Sequence, residues 1–205
     1  MAAVVAVGAI YLALPSDVVV GPTWLLPTVI FILLVPTVVS HRVGRHSINR
    51  ILGLINNGLI TLALLGSVSL LVVLYPSRRE SAVQLLGSGV LLWLTNVIVF
   101  ALWFWRLDGG GPIVRHEEKR FGSASFLFPQ VNVHPEERNY FGAEDWRPHF
   151  IDYLFVSFTQ CATFGPTDTP VLARWGKVLA MIETFVSLTL VILLISGAIG
   201  QLGAG

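Results

Sequence analysis

Residues 157–170 read S-F-T-Q-C-A-T-F-G-P-T-D-T-P, and they hold most of the oxygen chemistry in an otherwise apolar neighbourhood. Thr163 and Thr167 bring hydroxyls, Gly165 brings a backbone carbonyl free of side-chain cover, and Asp168 brings a carboxylate. Hydroxyl and carbonyl oxygens in series replace the hydration shell of a monovalent cation, and a carboxylate at the mouth of such a series concentrates cations. Asp168 has a second reading, as a cap or a tie to the helix behind it. Phe164 adds a third chemistry, an apolar collar that gates a pore by dewetting. Further along, Glu183 lies about a third of the way into an apolar run, where a carboxylate is costly and usually faces a bundle interior or a water path. It is read as lining a pore near Ser187, as hydrogen-bonding the helix before the loop, or as interfacial.

These residues need rigid apolar elements around them, and the composition supplies them. Of 205 residues 54% are apolar and 12% charged, with mean hydropathy +0.74. Soluble domains carry about 25% charged residues, so the chain reads as an all-α integral membrane protein. No charge occurs between Ile51 and Tyr75 or between Ser81 and Trp105. Each run has the ~20 or more residues that span a hydrocarbon core. Further spans are expected at 2–20, interrupted at Pro15-Ser16-Asp17, at 23–40 with Pro27 and Pro36, and at 171–199. That makes about five spans, plus a short re-entrant helix at 150–163. The apolar N-terminus has no Lys or Arg, so no secretory signal is expected.

The pattern T-F-G-P-T-D between two spans resembles the pore of the tetrameric potassium-channel superfamily, whose signature is S-F-x-T-x-T-T-V-G-Y-G-D. Ser157, Phe158, Thr163, Gly165 and Asp168 match without gaps. Phe164 replaces Val, Pro166 replaces Tyr and Thr167 replaces the second Gly. The stretch L-A-R-W-G-K-V-L-A-M-I-E-T-F-V-S is similar to bacterial inner helices, with Ala173, Arg174, Leu179, Ala180 and Glu183 aligned and Ser187 in place of the hinge Gly. The resemblance implies N-terminal helices at 1–75 and a pore module at 76–205. Within the module it places an outer helix at 81–106, a loop at 107–149, a pore helix at 150–163, a filter-like segment at 163–168 and an inner helix at 171–199. It implies a homotetramer in a bacterial inner membrane, multi-pass, with potassium or sodium ions as permeants near Thr163, Gly165 and Thr167. Two segments, from Trp93 to Pro112 and F-L-F-P-Q at 126–130, also resemble a bacterial membrane-protein family; that likeness carries no chemistry.

The substitutions argue against strong potassium selectivity. A carbonyl ladder needs positive φ at alternate residues, which Gly allows cheaply. Thr167 does not, and Pro166 has a fixed φ and biases Gly165 toward extended backbone. The expected filter is a shorter, wider constriction with weak selectivity among cations. The alternative is a non-conducting scaffold or sensor acting through the 107–149 loop, which is too long and aromatic to be a mere linker. A transporter is third, and it lacks a second, inverted half.

Other chemistry is thinly represented. The five His fall outside the spans in no metal-ligand spacing, and there is no nucleotide fingerprint or nucleophile elbow, so neither an enzyme nor a nucleic-acid partner is expected. The single Cys161 excludes an intramolecular disulfide and reads as a packing residue. Asn56, Asn57 and Asn96 are expected to bond across helices. Orientation is in tension with the resemblance. If all spans cross, every one of the 13 Lys and Arg except Arg78 and Arg79 lies on the filter side. The positive-inside rule puts that side in the cytoplasm, as in channels of inverted topology such as the ionotropic glutamate receptors, whereas potassium channels put it outside.

Overall fold

The structure, a computed structural model, describes residues 2–74, 82–117, 124–140, 146–165 and 167–202. Among these residues seven α-helices follow one another: α1 (Ala2–Ala13), α2 (Leu25–Arg42), α3 (His46–Leu74), α4 (Ala82–Leu107), α5 (Pro112–Glu117), α6 (Phe150–Thr163) and α7 (Arg174–Leu202). Among the described residues there is no strand, only an isolated antiparallel bridge between Phe126 and Val171. Three segments are long and apolar enough to cross a membrane: Ser47–Leu74, Val83–Gly110 and Arg174–Ile199. α1 and α2 are shorter, and α1 stops where Pro15 disfavours helix in the residue before it.

The contacts divide the chain into two units, Met1–Val99 with Phe185–Gly205, and Phe100–Thr184. In the first unit, α2 and α3 form an antiparallel hairpin. Its turn uses Gly44 at φ +72°, and Arg45 N–H donates to the Ser40 carbonyl at 2.9 Å, the long bond of a Schellman motif. The Asn49 amide then donates to the Thr37 carbonyl at 2.7 Å and staples α3 to α2. α3 buries a stripe of Asn57, Ile60, Leu64, Val68 and Leu71, spaced for one helix face. Gly66 on this helix lets Val20 approach so closely that a Cβ there would lie 2.5 Å from Val20 Cγ2. The Asn57 carboxamide and Asn56 Oδ1 reach no protein partner among the described residues, contrary to the expected bonds across helices. The unit also holds an antiparallel approach of α4 and α7, close at Gly89, where a Cβ would meet Leu194 Cδ2 at 2.4 Å.

The second unit is built on aromatic rings. Phe126 packs 5.0 Å from Phe104, 5.8 Å edge-on from Tyr153 and 6.1 Å from Trp175 between ring centroids. Phe128 packs 5.3 Å from both Tyr153 and Trp146. Phe100, Phe104, Phe126, Phe128, Tyr153 and Val156 are buried, and edge-to-face arrangements of this kind add to the gain from burial.

Candidate functional site

α6 begins with a carboxylate cap. The Asp152 side chain accepts from the backbone N–H of His149 at 2.6 Å, and its charge sits at the positive end of the helix dipole. The helix ends at Phe164, whose N–H donates to the Gln160 carbonyl at 3.1 Å and whose backbone is left-handed, φ +54° and ψ +25°. Among the described residues Phe164 is the only non-glycine with positive φ, and Gly165 does not take it. Gly165 thus stays out of the left-handed region, the direction in which a following proline biases it. Phe164 takes the helix-terminating conformation one residue earlier, at a steric cost of about 1–2 kcal/mol. Pro166 lies outside the described residues.

The hydroxyls of this segment are engaged locally. Thr163 donates to the Thr159 carbonyl of its own helix at 2.8 Å. Thr167 donates to the Thr169 carbonyl at 3.0 Å and accepts from the Thr169 N–H at 3.2 Å. Asp168 is exposed and accepts from the Thr169 hydroxyl at 3.4 Å. Phe164 is 39% exposed.

Beyond Thr169 the chain is gripped by the long loop. Leu127 N–H donates to the Pro170 carbonyl at 3.0 Å, and Leu172 N–H donates to the Ser125 carbonyl at 2.7 Å. These bonds frame the Phe126–Val171 bridge. A Cβ on Gly176 would come within 2.8 Å of Val171 Cγ1, so the start of α7 is also close-packed there.

The loop in turn hangs on Asp108, a residue that the sequence reading did not single out. Asp108 is buried at the end of α4; its Oδ1 accepts from Ser125 N–H at 2.5 Å and its Oδ2 from the Tyr153 hydroxyl at 2.6 Å. Arg115 donates to the carbonyls of Asp108 and, at 3.0 Å, Trp105, and its guanidinium lies 5.2 Å from the centre of the Tyr153 ring. Gly109, Gly110 and Gly111 all have positive φ, which explains why three glycines follow Asp108. Burial, then the neighbouring Asp108 charge, pushes the Tyr153 phenol well above its ordinary range, so it stays a protonated donor to the carboxylate. The only sequence signal for this cluster was Arg106-Leu107-Asp108 after a long uncharged run and before Gly-Gly-Gly-Pro.

Glu183 is fully buried in α7; its Oε1 accepts from the Ser157 hydroxyl and, at 3.4 Å, from the Cys161 thiol, both on α6. The Gln160 amide adds a long contact to Thr184 Oγ1 at 3.4 Å. Cys161, the single cysteine of the chain, is fully buried. In the other unit, Ser187 is fully buried and accepts from Trp93 Nε1 at 2.8 Å. Among the described residues no three His, Cys, Asp or Glu side chains come together to hold a metal ion. No family model, no curated protein and no solved structure matches the chain.

Proposed function

We propose that the chain is one subunit of a homotetrameric, potassium-channel-like ion channel with a degenerate filter, multi-pass in a bacterial inner membrane and weakly selective among cations. The observation that carries this reading is the combination of α6 and the segment after it. α6 has 14 residues, about 21 Å of helix, too short to cross a hydrocarbon core of about 30 Å. It gives way to irregular backbone that rejoins a long apolar helix, and a buried carboxylate on that helix bonds back to α6. Irregular backbone at membrane depth is tolerated only inside protein or along a water path. One chain supplies one such loop, so a closed pore needs several copies. Glu183 and Ser187 act in this reading as packing ties rather than as pore lining. Their polar atoms are engaged with Ser157, Cys161 and Trp93.

A second reading is favoured by a different observation. The Thr163 and Thr167 hydroxyls bond within their own segment, while the long loop is elaborately fastened through Asp108. That suits a non-conducting channel-fold scaffold or sensor acting through residues 107–149. Reconstitution in liposomes separates the two. Cation flux from a purified tetramer is the expected outcome. A monomer or dimer in mild detergent overturns the channel reading, and a well-folded tetramer silent under every voltage and pH favours the scaffold.

A further inference from the structure

The α2–α3 turn is a compact basic feature that the pore reading leaves unused. Arg42, Arg45 and Arg50 are all exposed, and residues 41–50 contain no acid. Among the described residues of its unit the only acid is Asp17. Asp17 lies just before Val20, which packs on Gly66, about 30 Å along α3 from His46 at the helical rise. The turn itself is pre-set by Gly44, the Arg45–Ser40 bond and the Asn49–Thr37 staple, so its arginines leave a fixed backbone.

An apolar stripe runs away from this turn. Ile48, Ile51, Ile55, Leu59 and Leu62 are exposed and recur at three- and four-residue spacing along one face of α3. From Ile48 to Leu62 the stripe is about 21 Å long, enough to cover one leaflet of a core about 30 Å thick. Val43, 64% exposed, stands beside the arginines. A compact cationic head joined to an apolar track has the complementary shape and charge of one amphiphile.

We propose that the α2–α3 turn docks the phosphate headgroup of an anionic phospholipid, with Arg42, Arg45 and Arg50 holding the phosphate and the Ile48–Leu62 stripe carrying an acyl chain. This rests on α3 spanning the membrane, not on conduction. Arginine suits the role because its planar fork binds phosphate oxygens two at a time. At about fivefold per arginine near a charged surface, three give roughly a hundredfold preference for an anionic over a zwitterionic lipid.

The test uses the full chain in mild detergent, titrated with phosphatidylglycerol or phosphatidylcholine and read by native mass spectrometry. Wild type is expected to prefer phosphatidylglycerol by roughly a hundredfold, and R42Q/R45Q/R50Q to lose that preference while R174Q/K177Q keeps it. Equal binding of both lipids, or equal loss in both variants, overturns the proposal. So does displacement of the lipid by equimolar inorganic phosphate, which marks a plain anion site. Should the triple variant misfold, a photoreactive phosphatidylglycerol on wild-type protein decides: crosslinks are expected within residues 42–62, and crosslinks confined elsewhere overturn it.

Discussion

The Ser157 hydroxyl donates to the Glu183 carboxylate, joining α6 to α7 at a point where both side chains are fully buried. A buried polar pair of this kind is worth little net, but breaking it on one side leaves the other group unsatisfied at about 1–3 kcal/mol. Glu183→Leu is therefore expected to lower stability by about 2 kcal/mol or more, because it also strips the Cys161 thiol of its acceptor. Glu183→Gln keeps an acceptor oxygen and is expected to cost less. In a double-mutant cycle with Ser157→Ala, followed by thermal unfolding in detergent, the coupling should reach at least about 0.5 kcal/mol. Additive effects would show that the two residues do not act on each other.

Asp108 and Tyr153 lie 45 residues apart in sequence and meet at 2.6 Å. Tyr153→Phe removes one donor from a buried carboxylate and is expected to cost about 1.5–3 kcal/mol, the range for bonds to charged groups. Asp108→Ala should cost more, since it also releases Ser125 N–H. If Asp108→Ala proves neutral in unfolding experiments, the loop is not fastened there.

The parts of this arrangement differ in how far they could be read from the chain alone. α6, Phe150–Thr163, was legible because the resemblance places a short helix directly before the T-F-G-P-T-D segment. The long helices were legible from uninterrupted apolar runs. The Asp108 cluster was not. It gathers residues 108, 115, 125 and 153 from four places, and no periodicity links them. The left-handed Phe164 was hidden for the opposite reason. Local preference reserves that conformation for glycine, and the helix end imposed it on an aromatic residue.

The glycines offer a paired test of that cluster's turn. Gly111 has φ +103°, and a Cβ there would lie 2.9 Å from the Arg106 carbonyl oxygen. Gly111→Ala is expected to destabilise by more than about 1 kcal/mol, because the conformation does not suit an L side chain. Gly87 sits within α4 with nothing within 4 Å of a would-be Cβ, so Gly87→Ala should be neutral or stabilise by up to about 1 kcal/mol. Unfolding midpoints of the two variants check the contrast, and equal shifts would contradict the assigned backbone at Gly111.

Selectivity follows from backbone conformation in the proposed filter. A potassium ladder needs successive carbonyls turned inward by alternating conformations. Here the left-handed residue is Phe164, Gly165 is not left-handed, and the Thr167 hydroxyl is tied to Thr169. Potassium should then be favoured over sodium only weakly, and the reversal potential under bi-ionic potassium and sodium should lie near zero. A strongly potassium-selective value would mean that assembly rebuilds the ladder in the tetramer. Asp168 supplies the companion measurement. Its carboxylate is exposed and bonded only to the adjacent Thr169 among the described contacts, so it is placed to attract cations without holding the fold. Asp168→Asn should lower conductance most at low salt, where the Debye length is about 30 Å at 0.01 M against 3 Å at 1 M. A loss independent of salt would instead make Asp168 a structural tie.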